Sequence, residues 1–265
     1  MVCGAVMPPP PVKSFQVDRL PVRIFATLAE LASAAANDAA SVLTAAIGAR
    51  GRARAIIATG NSQDQFLDQL TQRPGIDWGK VELFHMDEYL GMPITHPASF
   101  RCYLKQRVFD RVKPKAAHFL EGDALEPLKA MRDYATQLAA APVDLCCLGI
   151  GENGHLAFND PPVANFNDPE VIKLVKLDAQ CRQQQVGEGH FPNLDAVPMY
   201  AITLTIPTLC RVGRMIAVVP EKRKAQAVKT SLEGTIATAC PGSYLRQQAH
   251  ATLYLDADSA SLLAR

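Results

Sequence analysis

Three short runs combine proton-transfer groups with glycines: Thr59-Gly60-Asn61-Ser62, Asp87-Glu88-Tyr89 and Gly149-Ile150-Gly151-Glu152-Asn153-Gly154-His155. A carboxylate and an imidazole are the side chains most used to move protons near neutral pH. Taken alone, an Asp such as Asp87 is as readily a helix cap, and a lone His a hydrogen-bonded structural residue. Gly149, Gly151 and Gly154 shift that balance, because three glycines in six positions let backbone take positive φ and approach a ligand closely. The Gly-x-Gly-x-x-Gly spacing also suggests a dinucleotide site. That fingerprint normally opens the first βα unit with an acid about 20 residues later, whereas here it lies past mid-chain and runs on into His155, Phe158, Asn159, Asp160 and Pro161. A nicotinamide site is therefore disfavoured. Lys222-Arg223-Lys224 follows an apolar run, and three cations at the start of a helix point to an anion that compensates at least one of them.

These groups need a scaffold that brings them to one edge. Short β-rich runs alternate with helix-period segments, the pattern of a parallel sheet covered by helices on both faces. Strands are predicted at 22–26, 55–59, 81–86, 117–120, 143–148, 200–204, 215–219 and 252–255, with 149–162 as a loop. Leu28, Leu31, Ala35, Ala39, Val42, Leu43, Ala46 and Ile47 form one helix face that Gly48 and Gly51 end, and further helices are predicted over 62–72, 99–112 and from Pro127. No internal repeat and no linker divides the chain. We expect one Rossmann-like α/β domain over 21–265, with a central, mostly parallel sheet, behind an extended proline-rich N-terminal arm over 1–20. In such sheets ligands sit beyond the carboxyl ends of the strands, where all three runs fall.

Composition narrows the class. The 265 residues carry a formal net charge of +1, with 48% hydrophobic and 20% charged residues. A near-neutral chain lacks the basic excess that a nucleic-acid partner requires. Its longest apolar runs fall far short of the roughly 20 residues of a membrane span. Seven scattered cysteines, with no Cys-x-x-Cys and no zinc-like spacing to histidine, read as reduced thiols of a cytoplasmic protein.

Met86-Asp87-Glu88-Tyr89-Leu90-Gly91, with His96-Pro97-Ala98-Ser99-Phe100 after it, resembles one signature segment of glucosamine-6-phosphate deaminases. The run from Gly149 to His155, continuing Leu156-Ala157-Phe158-Asn159-Asp160-Pro161, resembles the other. Val197-Pro198-Met199-Tyr200-Ala201-Ile202-Thr203, and Lys224 nine residues before Glu233-Gly234, are similar to the same family, and the resemblance covers roughly Val22 to Leu263. The related 6-phosphogluconolactonases share the Asp-Glu pair and the Gly-x-Gly-x-x-Gly-His loop. They usually carry arginine where this chain has Tyr89, and a small-residue run ending in Phe-Pro where it reads Leu156-Ala157-Phe158-Asn159-Asp160, so the deaminases fit better.

The resemblance implies conversion of glucosamine 6-phosphate and water to fructose 6-phosphate and ammonia, with no metal or organic cofactor. It makes Asp87 the C2–C1 proton shuttle and His155 the ring-opening group, with Asn153 and Asp160 orienting and tuning the imidazole. Thr59, Gly60, Asn61, Ser62 and Lys224 would hold the phosphate, with Lys222 and Arg223 outside the site. Glu88, Gly151 and Gly154 complete the expected binding set. The implied partner is a small-molecule sugar phosphate, with neither nucleic acid nor membrane, and room is left for a homo-oligomer.

Three departures from the family pattern bear on the substrate. Asp160 stands where Glu is usual, Thr59-Gly60-Asn61-Ser62-Gln63 replaces the usual Thr-Gly-(Ser/Gly)-Thr-Pro turn, and no residue between Asp178 and Phe191 matches the phosphate arginine, Arg182 aligning with a different one. Residues that bind an N-acetylated activator in some bacterial members are not recognisable after Pro161. The competing readings are a lactonase, an isomerase of another sugar phosphate, and a non-catalytic sugar-phosphate sensor. The last would need a DNA-binding segment for which the N-terminal arm is too short.

Overall fold

The computed structural model describes residues 9–264. The chain opens with strands β1 (Lys13–Val17) and β2 (Leu20–Phe25), then passes through α1 (Leu28–Arg50), β3 (Ala53–Ile57), α2 (Asp64–Gln72), β4 (Val81–His85), β5 (Asp87–Tyr89), α3 (Phe100–Leu104), α4 (Asp110–Val112) and β6 (Ala116–His118). Then come α5 (Pro127–Ala139), β7 (Val143–Leu148), β8 (Ile172–Lys176), α6 (Ala179–Gly187), β9 (Tyr200–Leu204), α7 (Ile206–Cys210), β10 (Val212–Val219), α8 (Ala225–Glu233) and β11 (Ala251–Asp256). Eight strands form one sheet in the order β1-β2-β11-β10-β7-β3-β4-β6. Only the β1–β2 pair in it is antiparallel.

The apolar runs are continuous because both sheet faces are covered. In β7, Leu145 and Cys147 pack on the α1 and α2 side, and Cys146 and Leu148 on the α5 and α8 side. Helix α1 starts at a capping box in which Thr27 Oγ1 accepts the Glu30 N–H and Glu30 Oε2 accepts the Thr27 N–H. It ends at Gly51, whose φ of +69° is left-handed, while Gly48 lies inside the helix.

Three expectations need correction. Residues 13–17 form β1, paired with β2 from Lys13 opposite Ile24 to Val17 opposite Leu20, because Phe15 and Val17 can pack inward beside the sheet edge. Residues 13–20 therefore belong to the folded unit and not to the arm expected over 1–20; residues 1–8 of that arm lie outside the described residues. The strand at 200–204 is not in the parallel sheet: β9 pairs antiparallel with both β5 and β8 in a separate small sheet of order β5-β9-β8. The helix predicted over 99–112 is broken by a π-turn at Lys105–Phe109 between α3 and α4.

Candidate active site

Connections reverse direction at the β3–β7 boundary. From β3 the chain builds outward through β4 to β6, and from β7 it builds the other way through β10 to β11. That reversal leaves a crevice at the carboxyl ends of the central strands. A cleft lies there, lined by residues just beyond each strand: Ala58, Thr59, Gly60 and Ser62 after β3, Met86 and Asp87 after β4, Gly149, Ile150, Gly151 and His155 after β7, and Lys224 after β10.

Asp87 and Glu88 are neighbours in β5, so their side chains leave opposite faces. Asp87 lines the cleft and is 6% exposed, and among the described residues no donor hydrogen-bonds its carboxylate. Burial, then the charges of Glu88 and Asp160, push its carboxyl well above the usual carboxylate range. Glu88 points away, which corrects its assignment to the binding set. Its Oε2 accepts the Ser99 hydroxyl at 2.7 Å and the Arg101 N–H at 3.0 Å, and its Oε1 accepts the Phe100 N–H at 3.2 Å, so it caps α3. Arg101 Nε also pairs with it at 3.3 Å. Glu88→Ala should cost about 3–5 kcal/mol of stability, read by urea unfolding, because Arg101 and the α3 N–H groups would lose a buried carboxylate. A loss under 1 kcal/mol would contradict this structural role. His85, at the end of β4, is also buried; burial and then Arg101 drive it down to about 3, and its Nε2 accepts the Leu120 N–H at 2.7 Å.

The imidazole of His155 lies against Gly151. A Cβ at 151 would stand 2.2 Å from ring atoms Cε1 and Nε2, so any side chain there evicts the ring. Gly154 takes φ +85°, and a Cβ there would meet Cys240 Sγ at 2.7 Å. Nδ1 of His155 stands 3.1 Å from Asp160 Oδ1 but off the ring N–H line, a close contact and not a directed bond. Behind the ring, Asn153 Nδ2 donates to Asp160 Oδ1 at 3.0 Å, and Asn153 Oδ1 accepts the His155 N–H at 3.0 Å. The Asp178 N–H donates to Asp160 Oδ2 at 3.1 Å. Burial opposes ionisation of Asp160, yet His155, Asn153 and the Asp178 N–H outweigh it and hold the carboxyl below its ordinary value. Asp160 therefore reaches His155 despite being one methylene shorter than Glu.

At the other end of the cleft, the backbone of Gly60 adopts φ +104° and leads through a short 3-10 turn into α2. Lys224 is 3% exposed and lines the cleft, whereas Lys222 faces solvent. Asn61 does not line it: its Nδ2 donates to the Glu188 carbonyl at 3.2 Å, which corrects its side chain's place in the phosphate set. Arg182 turns away, its Nη2 donating to the carbonyls of Leu194 at 2.5 Å and Val197 at 3.0 Å. Tyr89 is buried among Phe100, Phe158 and Phe191 and donates its hydroxyl to Gln185 Oε1 at 2.8 Å, a setting made for a ring and not for an arginine.

Sequence reasoning missed Gln184, Gln185 and Glu188, which line the cleft from α6 and the loop after it. Three consecutive glutamines carry no apolar period that would signal burial, yet Gln184 and Gln185 are buried. His155, Asp160 and Cys181 bring ligand-type atoms within 4.8 Å of one another. Asp160 already spends its oxygens on His155, Asn153 and the Asp178 N–H.

A parallel sheet whose switch point brings a buried acid, an imidazole beside a carboxylate and a buried lysine into one cleft is the arrangement of an α/β enzyme. Residues 26–254 match the family described as glucosamine-6-phosphate isomerases/6-phosphogluconolactonase, and the chain belongs to that family. A protein named glucosamine-6-phosphate deaminase 1 from Giardia intestinalis is 31% identical over 202 residues, 75% of this chain and 74% of its own length. One named glucosamine-6-phosphate deaminase from Exiguobacterium sibiricum is 31% identical over 78% of this chain and 80% of its own. A solved structure described as a monomeric glucosamine-6-phosphate deaminase superposes with a TM-score of 0.83 at 29% identity, covering 91% of this chain and 99% of that one. A 6-phosphogluconolactonase from Shewanella baltica superposes at 0.73 with 18% identity, a likeness of fold.

Proposed function

We propose that the cleft deaminates and isomerises glucosamine 6-phosphate to fructose 6-phosphate and ammonia. The observation that carries this reading is the pairing, in one cleft, of a protonatable buried acid, Asp87, with an imidazole backed by Asp160. The chemistry needs two proton movements of different kinds. His155 passes a proton between the C1 hydroxyl and the ring oxygen, opening the sugar. Asp87 then takes the C2 proton while O1 gains one from solvent, giving an enolamine, and returns its proton to C1; the C2 iminium so formed is hydrolysed by water to the ketone, with nitrogen leaving as ammonium, which gives ammonia and restores the proton to solvent. A carboxyl raised above its ordinary range is a stronger base towards the C2 proton than an ordinary carboxylate. Asn153 and Asp160 fix the ring, and Gly151 gives it room.

The phosphate end comprises the Gly60–Ser62 turn and Lys224. Lys224→Ala should raise KM for glucosamine 6-phosphate at least tenfold, about 1.4 kcal/mol, while Lys222→Ala changes it less than twofold. An unchanged preference for phosphorylated over unphosphorylated glucosamine in Lys224→Ala would remove the phosphate assignment. Activity itself is tested by ammonia release from a panel of amino-sugar phosphates. Ketose formation without ammonia, or hydrolysis of 6-phosphogluconolactone in its place, would replace the deaminase reading by isomerase or lactonase.

A further inference from the structure

Glu188 comes just after α6 and projects into the end of the cleft that holds Lys224. Its side chain is 5% exposed, and Oε1 accepts Gln184 Nε2 at 2.7 Å and Arg223 Nη1 at 2.8 Å. Oε2 stands 3.3 Å from His190 Nε2, and Oε1 3.9 Å from Lys224 Nζ. A lysine, an arginine, an amide and an imidazole around one carboxylate are the donors that a phosphate group seeks. A phosphate seated on Lys224 would meet this carboxylate at contact distance, and two anions cannot share the position. Arg223 has further carboxylates near it, Glu221 and, at 3.7 Å, Glu152, so the cations at this end are already matched.

We propose that Glu188 is an internal surrogate for the substrate's phosphate: it neutralises Lys224 and Arg223 in the free enzyme, gives way when phosphate arrives, and leaves Arg223 as the second phosphate-binding cation. The inference rests on the phosphate-bearing substrate proposed above. It supplies the cation that Arg182 is not placed to be, and brings Arg223 into a site that the family resemblance alone leaves it outside. The carboxylate can leave because it sits between Gly187 and Gly189, the latter at φ +81°, with open space around both Cβ positions. Acid does not release it: burial opposes its ionisation, yet His190, Lys224 and Arg223 hold it at about 2. A phosphate dianion competes for the same donors more strongly than a singly charged ligand does.

Inorganic phosphate is the probe, titrated by calorimetry at fixed ionic strength into the wild type, Glu188→Gln, Arg223→Ala, Lys224→Ala and the Glu188→Gln/Arg223→Ala double variant. Glu188→Gln should bind phosphate at least fivefold tighter and Arg223→Ala at least fivefold weaker. In the double variant most of the gain from Glu188→Gln should vanish, since the cation it frees is gone. Glu188→Ala gives the same readout if the glutamine variant does not fold. If Lys224→Ala weakens binding but neither Glu188 variant tightens it, the surrogate role is wrong and the phosphate site stands. If Lys224→Ala also leaves phosphate binding unchanged, both this inference and the phosphate reading fall.

Discussion

Asp87→Asn should lower turnover by at least two orders of magnitude and, at neutral pH, leave the folded protein more stable than the wild type. The first effect comes from the role proposed for the carboxylate: an amide cannot take the C2 proton, and one positioned proton-transfer group is worth about 10²- to 10⁴-fold. The second comes from its surroundings. Asp87 is buried, and burial, then Glu88 and Asp160, raise its carboxyl well above the ordinary range. Between the unfolded value and the raised folded value the native state binds the extra proton, so stability falls as pH rises through that window. Asparagine never ionises and escapes the penalty. Thermal unfolding at pH 7 should show the variant melting above the wild type, with the gap closing towards the acid end where both states of the wild type are protonated. Wild-type turnover in the variant would remove Asp87 from the proton path; a lower melting temperature at pH 7 would contradict the buried-charge account of its environment.

His155→Gln should cut turnover of the cyclic substrate by about 10²-fold or more, through loss of ring opening. The two roles proposed for Asp87 and His155 are then separable by isotope exchange. When open-chain substrate is supplied in deuterated water, exchange at C2 should persist in His155→Gln and disappear in Asp87→Asn. Loss of exchange in both variants would mean that the imidazole also serves the C2–C1 transfer, and full turnover in His155→Gln would make it structural. Removing the imidazole also removes a support of Asp160. A carboxyl held below its ordinary value contributes stability that is present at neutral pH and lost as pH falls through the folded value. His155→Gln should therefore move the onset of acid destabilisation to higher pH.

The alternation of apolar runs with helix-period segments located the parallel strands and the strand ends that carry Thr59, Asp87, Gly151 and Lys224, because a strand buried on both faces is a continuous apolar run. It did not reveal the small antiparallel sheet. The three residues of β5, Asp87–Tyr89, are too few to show a period, and β8 sits at the margin of its sheet with Leu174 and Lys176 exposed. Had β5 been seen as a strand, alternation alone would have parted Asp87 from Glu88. The motif glycines and the Asn153, His155 and Asp160 set were legible because their contacts are local, within seven residues. Glu188 was not, since nothing in its neighbourhood along the chain announces Arg223, which is 35 residues distant.

The hairpin of β1 on β2 has a meaning beyond topology. A long parallel sheet ends in a row of unpaired amides and carbonyls that invites a strand from another molecule. Here one margin is closed by β1, which pairs along five positions and turns Lys13, Ser14 and Gln16 to solvent. The opposite margin is β6, only three residues long and flanked by Lys113 and Lys115. Among the described residues both margins are short and carry lysines, features that discourage a further strand from pairing there, and the antiparallel strand works as a molecular selvedge along an otherwise extendable weave.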